Sequence, residues 1–175
     1  MTRTTLLVPA HEAEPATAGW WSEWEPPKAR GIPAHVSVLF PFVRTHQLDD
    51  DALQRVADAA AAVPAFPYRL VRVGRFPSTV YLEPEPAAGF AALTTGVEER
   101  FPGVRAYGGV HVRLVPHLTV LTCADRTLLD RAALEVATAL PIDARATAVW
   151  LMGEREHGGW ERLESFPLGG NGDDG

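Results

Sequence analysis

A single cysteine, Cys123, stands in 175 residues, which excludes an internal disulfide framework and fits a reducing compartment. Long apolar runs are missing too. No stretch approaches the roughly 18 residues that a membrane-spanning helix requires. Near the N-terminus the apolar stretch Leu6 to Val8 is too short for a secretory signal, and acidic residues follow it soon after. Lysine is almost absent: Lys28 is the only one, beside fifteen arginines, and the formal charge is −6. Proteins that track a nucleic-acid backbone need a basic face. This balance therefore argues against long RNA or DNA as a partner. It still allows a small pocket in which a few arginines meet one phosphate. The sequence is read as that of a cytoplasmic protein with no membrane partner.

What the chain does have is a core, with 46% hydrophobic residues, and a regular alternation of strand and helix signals. Strands are expected from Thr4 to Val8, Ala34 to Phe42, Tyr68 to Val73, Thr79 to Leu82, Ala144 to Met152 and Trp160 to Phe166. Val110 to Thr122 is strand-like, but Pro116 interrupts it and predicts an edge, bulge or break. Helices are expected from Pro15 to Trp24 and from Ala87 to Arg100, the latter with Phe90, Leu93, Val97 and Phe101 at helical spacing. Asp49 to Asp51 introduce another helix, with Leu53, Val56, Ala60 and Val63 near one face and Pro64 as its stop. Asp125 caps a fourth, which places Leu128, Leu129, Ala132, Val136 and Leu140 inward and ends at Pro141. Gly103 to Gly109 reads as a loop. The tail from residue 169 to 175, GGNGDDG, reads as disordered.

There is an internal echo. PAHVSVLF is followed by a capped helix, a proline stop and a strand, and so is VPHLTVLT. The repeat lives in pattern rather than in letters. It predicts an α+β chain with two similar lobes facing each other across a cleft, as one bilobal domain over residues 1–168.

Both copies carry the same polar pair. In a strand, side chains alternate between faces. His35 and Ser37 therefore share one face, and His117 and Thr119 share one face of the other strand. Val36, Val38, Leu118 and Val120 point the opposite way. Two histidines suit phosphodiester cleavage: one takes a proton from the attacking oxygen, while the other gives one to the leaving oxygen. Histidine titrates near neutrality, so a pair holds both states at once. The hydroxyls of Ser37 and Thr119 suit hydrogen bonds to non-bridging phosphate oxygens. This design calls for no metal and no cofactor. His111 could pair with His117 toward a metal, but no third ligand is evident. Trp21, Tyr107 and Arg113 are further candidates for substrate contact, Trp21 as a surface on which a base stacks.

The paired H-V-S-V and H-L-T-V resemble the H-x-[ST]-x motifs of the two-histidine (2H) phosphoesterase superfamily. Within it the chain is most similar to the bacterial 2′-5′ RNA ligase and cyclic phosphodiesterase branch, over about residues 3 to 166. The resemblance implies two antiparallel-sheet lobes with outer helices and a central cleft. It implies action on a 2′,3′-cyclic phosphate or a 2′-5′ linkage, in a small nucleotide or at an RNA end. By that resemblance His35 and His117 take the acid and base roles, in an order left open, and Ser37 and Thr119 take phosphate binding. A monomer is expected, since two lobes complete one site. Phosphodiester hydrolysis is the leading expectation. A nucleotide- or RNA-end-binding module without turnover, and RNA ligation proper, remain alternatives.

Overall fold

A computed structural model describes residues 3–24, 30–105 and 115–170. Among the described residues, eight strands form one antiparallel sheet. In chain order they are β1 (Thr4–Pro9), β2 (His35–Leu39), β3 (Phe66–Phe76), β4 (Thr79–Glu85), β5 (Leu118–Thr122), β6 (Ile142–Ala146), β7 (Ala148–Glu154) and β8 (Trp160–Pro167). Four helices accompany them: α1 (Glu14–Trp24), α2 (Asp50–Ala61), α3 (Ala88–Arg100) and α4 (Arg126–Ala137).

Across the sheet the order is β6-β3-β4-β5-β2-β1-β7-β8. Two four-stranded halves meet between β5 and β2, where Val36 pairs with Leu118. The halves are related by an approximate two-fold through that pair. β4 flanks β5 as β1 flanks β2. Helix α1, which follows β1, packs on β5, and α3, which follows β4, packs on β2. Helix α2 lies against β8, and α4 lies against β3, β4 and β5.

The internal repeat is thus present in space, with a mixed helix-and-sheet architecture of the kind the motifs implied. The aspartates that follow the motif strands cap the next helices. Asp49 accepts from the amide of Ala52 at 2.8 Å, and Asp125 accepts from the amides of Thr127 and Leu128. Each satisfies orphan donors of a helical first turn.

The sheet cannot be flat. β6 lies at one edge and β7 one place from the other, yet only Thr147 separates them in the chain. Six strand steps at about 4.8 Å would put them roughly 29 Å apart in a flat sheet. The two peptide units that join them reach no more than about 7 Å. The sheet therefore curls until its ends approach. This corrects the single strand expected from Ala144 to Met152. The apolar run there is continuous, but it serves opposite ends of the sheet: β6 pairs with β3, and β7 with β1 and β8. Periodicity does not register such a switch, because both segments keep extended backbone and alternate burial.

Other boundaries differ in ways that follow from packing. The strand expected from Ala34 to Phe42 is regular only over His35–Leu39. Of the strand expected from Val110 to Thr122, the described part is regular over Leu118–Thr122; Val115, Pro116 and His117 precede that strand, and residues 106–114 lie outside those described. In α2 the buried face is Ala52, Val56, Ala59 and Ala60, so small residues rather than Leu53 and Val63 set the close approach to the sheet. Gly169, read as the start of a disordered tail, is held instead. Its carbonyl accepts from Ala65 N at 2.9 Å and its amide donates to the Val63 carbonyl at 2.8 Å. Residues 171–175 lie outside those described.

One core fills the space between the helices and one face of the sheet. Leu6, Val8, Val36, Val38, Leu118 and Val120 enter it from the strands, and Phe90, Leu93, Leu129 and Val136 from the helices. On the opposite face a smaller cluster of Leu7, Met152 and Trp160 packs with Ile32, Phe40 and Trp150. That face carries the motif histidines. Among the described residues no helix is long and apolar enough to cross a membrane.

Candidate active site

The pairing of Val36 with Leu118 fixes the geometry of the motifs. Because the strands run antiparallel, His35 lies across from Thr119 and Ser37 across from His117. Val36 and Leu118 are fully buried beneath. Two histidines and two hydroxyls thus occupy alternate corners of one patch on the face opposite the main core, at the seam of the two halves. The structure brings together all four residues singled out from the sequence.

The histidines are held in the same way. Nδ1 of His35 lies 2.8 Å from the carbonyl of Pro33, and Nδ1 of His117 lies 2.8 Å from the carbonyl of Val115. A carbonyl can only accept, so Nδ1 carries the proton in both rings and donates it. The lone pair of each neutral ring is then on Nε2. Neither proline nor valine is conspicuous in the sequence here; their value lies in presenting a carbonyl two residues ahead of each histidine.

The surroundings of the two rings differ. His35 meets the indole edge of Trp21, with centroids 5.6 Å apart. Its pKa is pushed down from 6.5 to about 4, first by burial and then by the nearby His117, while the hydrogen bond to Pro33 opposes the fall. His35 is therefore neutral at pH 7. His117 sits against two stacked rings, Phe76 and Tyr81, at 5.3 and 5.2 Å. Burial and the charge of Glu83 raise the Tyr81 pKa, so its phenol stays protonated. Unlike surroundings for the two rings suit an acid–base pair.

The hydroxyls of Ser37 and Thr119 make no hydrogen bond to any described residue. That is unusual for strand hydroxyls, which commonly bond to nearby backbone, and it leaves both able to donate to a ligand.

Trp21 does more than flank the site. Its Nε1 donates to the carbonyl of Thr119 at 2.9 Å. It thus joins α1 and the first motif to the second motif. Across the two-fold, Thr94 of α3 donates to the carbonyl of Val38 at 2.8 Å. Each helix that crosses from one half ties down the motif strand of the other.

A pocket of about 150 Å³ opens beside His35 and Ser37, walled by Trp21, Ile32, Phe40 and Trp160 with Thr5 at its base. Sequence reasoning missed Phe76, Tyr81, Phe40 and Trp160. Phe76 and Tyr81 reach His117 only because β4 lies next to β5, with Tyr81 opposite Thr119. Trp160 arrives from the last strand, at the far edge of the sheet. Tyr107 and Arg113 lie outside the described residues, as does His111. Among the described residues no group of three His, Cys, Asp or Glu side chains could hold a metal ion. Cys123 is half-buried, with Sγ near the carbonyl of Asp125 at 3.4 Å.

The chain has the fold of known phosphoesterases. It is similar to a crystal structure of a Thermus thermophilus protein at a TM-score of 0.65 and 18% identity, with 97% of this chain and 99% of that chain covered. Apo LigT of E. coli superposes at 0.61 with 16% identity, over 96% of this chain and 98% of that one. LigT complexed with 3′-AMP superposes at 0.58 with 18% identity, over 95% and 98%. None of the curated protein sequences matches. The family model of the 2′-5′ RNA ligase superfamily matches residues 8–158, a span that contains both histidine motifs and the seam between them. The chain belongs to the 2′-5′ RNA ligase superfamily.

Proposed function

We propose that this protein is a metal-independent phosphodiesterase that opens 2′,3′-cyclic phosphates, or cleaves 2′-5′ linkages, in small nucleotides or at RNA ends. The observation that carries the reading is the patch, at the seam of the halves, of two carbonyl-anchored histidines with two hydroxyls that bond to no described residue. Membership in the superfamily supports it, as does the 3′-AMP complex of a protein of the same fold.

In this reading the phosphate rests between Ser37 and Thr119, whose hydroxyls donate to its non-bridging oxygens. His35, neutral at pH 7, takes the proton of an attacking water at Nε2 as the new P–O bond forms. His117, in the acid role, gives its Nε2 proton to the ribose oxygen as the old P–O bond breaks, and the product is a phosphomonoester with a free hydroxyl. Trp21 and the carbonyls of Pro33 and Val115 hold the geometry. General acid–base transfer of this kind contributes about 10²- to 10⁴-fold in rate. The remainder comes from the hydroxyl contacts and from holding the phosphate in line. The site is complete within one chain, so the protein acts as a monomer.

The pH dependence of kcat/KM for a nucleoside 2′,3′-cyclic phosphate tests the reading. The base is the unprotonated form, so the rate falls as pH drops through its pKa. With His35 at about 4, activity persists well below pH 6 and declines toward pH 4. An acid limb at the ordinary histidine value of 6.5 would remove His35 from the base role.

A further inference from the structure

The alternation of the two motif strands breaks at the same place in each. On β2, His35 and Ser37 are half-buried, but Val38 and Leu39 are both buried. On β5, Thr119 is half-buried, but Val120 and Leu121 are both buried. The register explains the break. β1 pairs Leu7 with Ser37 and then Leu6 with Leu39, so Val38 has no partner on β1. β4 pairs Tyr81 with Thr119 and then Val80 with Leu121, so Val120 has no partner on β4. Each motif thus carries a one-residue bulge directly after its hydroxyl residue. A bulge bends its strand and re-aims the neighbouring side chains. Here it turns Leu39 and Leu121 into the core beside Val38 and Val120. Regular alternation would set both leucines on the face of the histidines, next to Ser37 and Thr119.

A bulge leaves its extra residue outside the ladder, and a buried carbonyl without a donor is destabilising. On β2 the donor comes from outside the sheet. Thr94 of α3, only 4% exposed, gives its hydroxyl proton to the Val38 carbonyl at 2.8 Å. The Phe90 carbonyl of its own helix lies farther away, at 3.2 Å. A hydroxyl has one proton, and the shorter contact to the bulge takes it. Thr17 is the buried threonine of the helix that crosses the other way, α1. Its hydroxyl bonds instead within its own helix, to the Ala13 carbonyl at 2.9 Å. β5 is held one residue before its bulge, where Trp21 donates to the Thr119 carbonyl. The two bulges are alike, and their anchors are not.

We propose that Thr94 is a positioning residue of the site: by anchoring the bulge at Val38 it aims the Ser37 hydroxyl at the phosphate. Thr94 lies in the core and touches no substrate. The carbonyl that it holds is one residue beyond Ser37, so a tilt of that peptide changes the direction in which Ser37 points. The phosphate-binding role of Ser37 is taken from the phosphodiesterase reading.

The test measures two quantities on the full chain: kcat/KM for adenosine 2′,3′-cyclic phosphate, and the affinity for 3′-AMP by titration. Thr94→Val keeps the volume and deletes the donor. It is expected to melt earlier, to lower kcat/KM by about tenfold or more, and to weaken 3′-AMP binding. Thr94→Ser, which keeps the donor, is expected to restore both values. In a Ser37→Ala background, Thr94→Val is expected to change neither value further, because it acts through Ser37. Thr17→Val removes a buried hydroxyl that holds no motif strand, and is expected to leave both values at the wild-type level. Thr94→Ala deletes the same donor and is read in the same way should the valine variant fail to fold. Wild-type values in a folded variant without the donor would overturn the proposal. So would an equal loss in Thr17→Val, or a full further loss on top of Ser37→Ala. Binding of 3′-AMP that follows the expected pattern without turnover would keep the positioning role and overturn the phosphodiesterase reading. Neither turnover nor binding by the wild type would overturn both.

Discussion

Gly74 offers a test of the site from a position that no substrate touches. It lies on β3, directly opposite Tyr81 of β4. A Cβ added there would fall 2.2 Å from Cε2 of Tyr81, 2.3 Å from Cζ and 2.6 Å from the phenol oxygen. Ordinary van der Waals contact begins near 3.4 Å, so Gly74→Ala obliges the ring to retreat by about 1 Å. It has little room. Phe76 is stacked on it at 4.4 Å and His117 packs against it at 5.2 Å. Overpacking of this kind costs about 1–3 kcal/mol, which in a chain of this size lowers Tm by about 2 to 10 °C. The displacement passes to His117, and a misplacement near 1 Å can cost on the order of 10²-fold in rate. Gly74→Ala should therefore fold, melt several degrees early and lose most of its turnover of a 2′,3′-cyclic phosphate. Adding Tyr81→Leu should restore Tm by making space, without restoring full activity. Unchanged Tm and turnover in Gly74→Ala would refute the claim that Tyr81 buttresses His117.

Two further outcomes follow from the same structure. Trp21→Phe keeps a ring beside His35 but deletes the bond to the Thr119 carbonyl. It should cost about 1 kcal/mol of stability and lower kcat more than it raises KM, as steady-state kinetics would reveal; a change in KM alone would make Trp21 a substrate contact only. Stability should also depend on His35. Its folded pKa of about 4 lies below the unfolded 6.5, so the unfolded chain binds the extra proton between those values. The contribution is fully present above pH 6.5 and is lost as pH falls toward 4. It amounts at most to about 3 kcal/mol. Denaturant melts of wild type and His35→Gln at about pH 7 and about pH 4.5 measure it, and equal pH sensitivity in both would contradict the burial of His35.

The grouping of the four polar motif residues was more legible in the sequence than the fold was. His35, Ser37, His117 and Thr119 were legible because strand alternation and the twin motifs are local properties. The capping aspartates and the inward face of α3 were legible for the same reason. What escaped was long-range. Val36 opposite Leu118 sets the four polar groups on one patch, and no local pattern encodes that register. The run from Ala144 to Met152 reads as one strand, since alternation continues while the partner strands change from one end of the sheet to the other. Trp160 and Phe40 are far apart in the chain and meet at 6.3 Å only through the curl. Trp21 was visible as an aromatic near the site, but its bond to Thr119 was not, because helix α1 crosses to the opposite half.

The most direct measurement is the hydrolysis of a nucleoside 2′,3′-cyclic phosphate, with EDTA present, by wild type, His35→Ala and His117→Ala, each shown to be folded by its Tm. The account predicts metal-independent turnover by the wild type and a loss of at least about 10²-fold in each variant. Full activity in either folded variant, or wild-type activity abolished by EDTA, would contradict it.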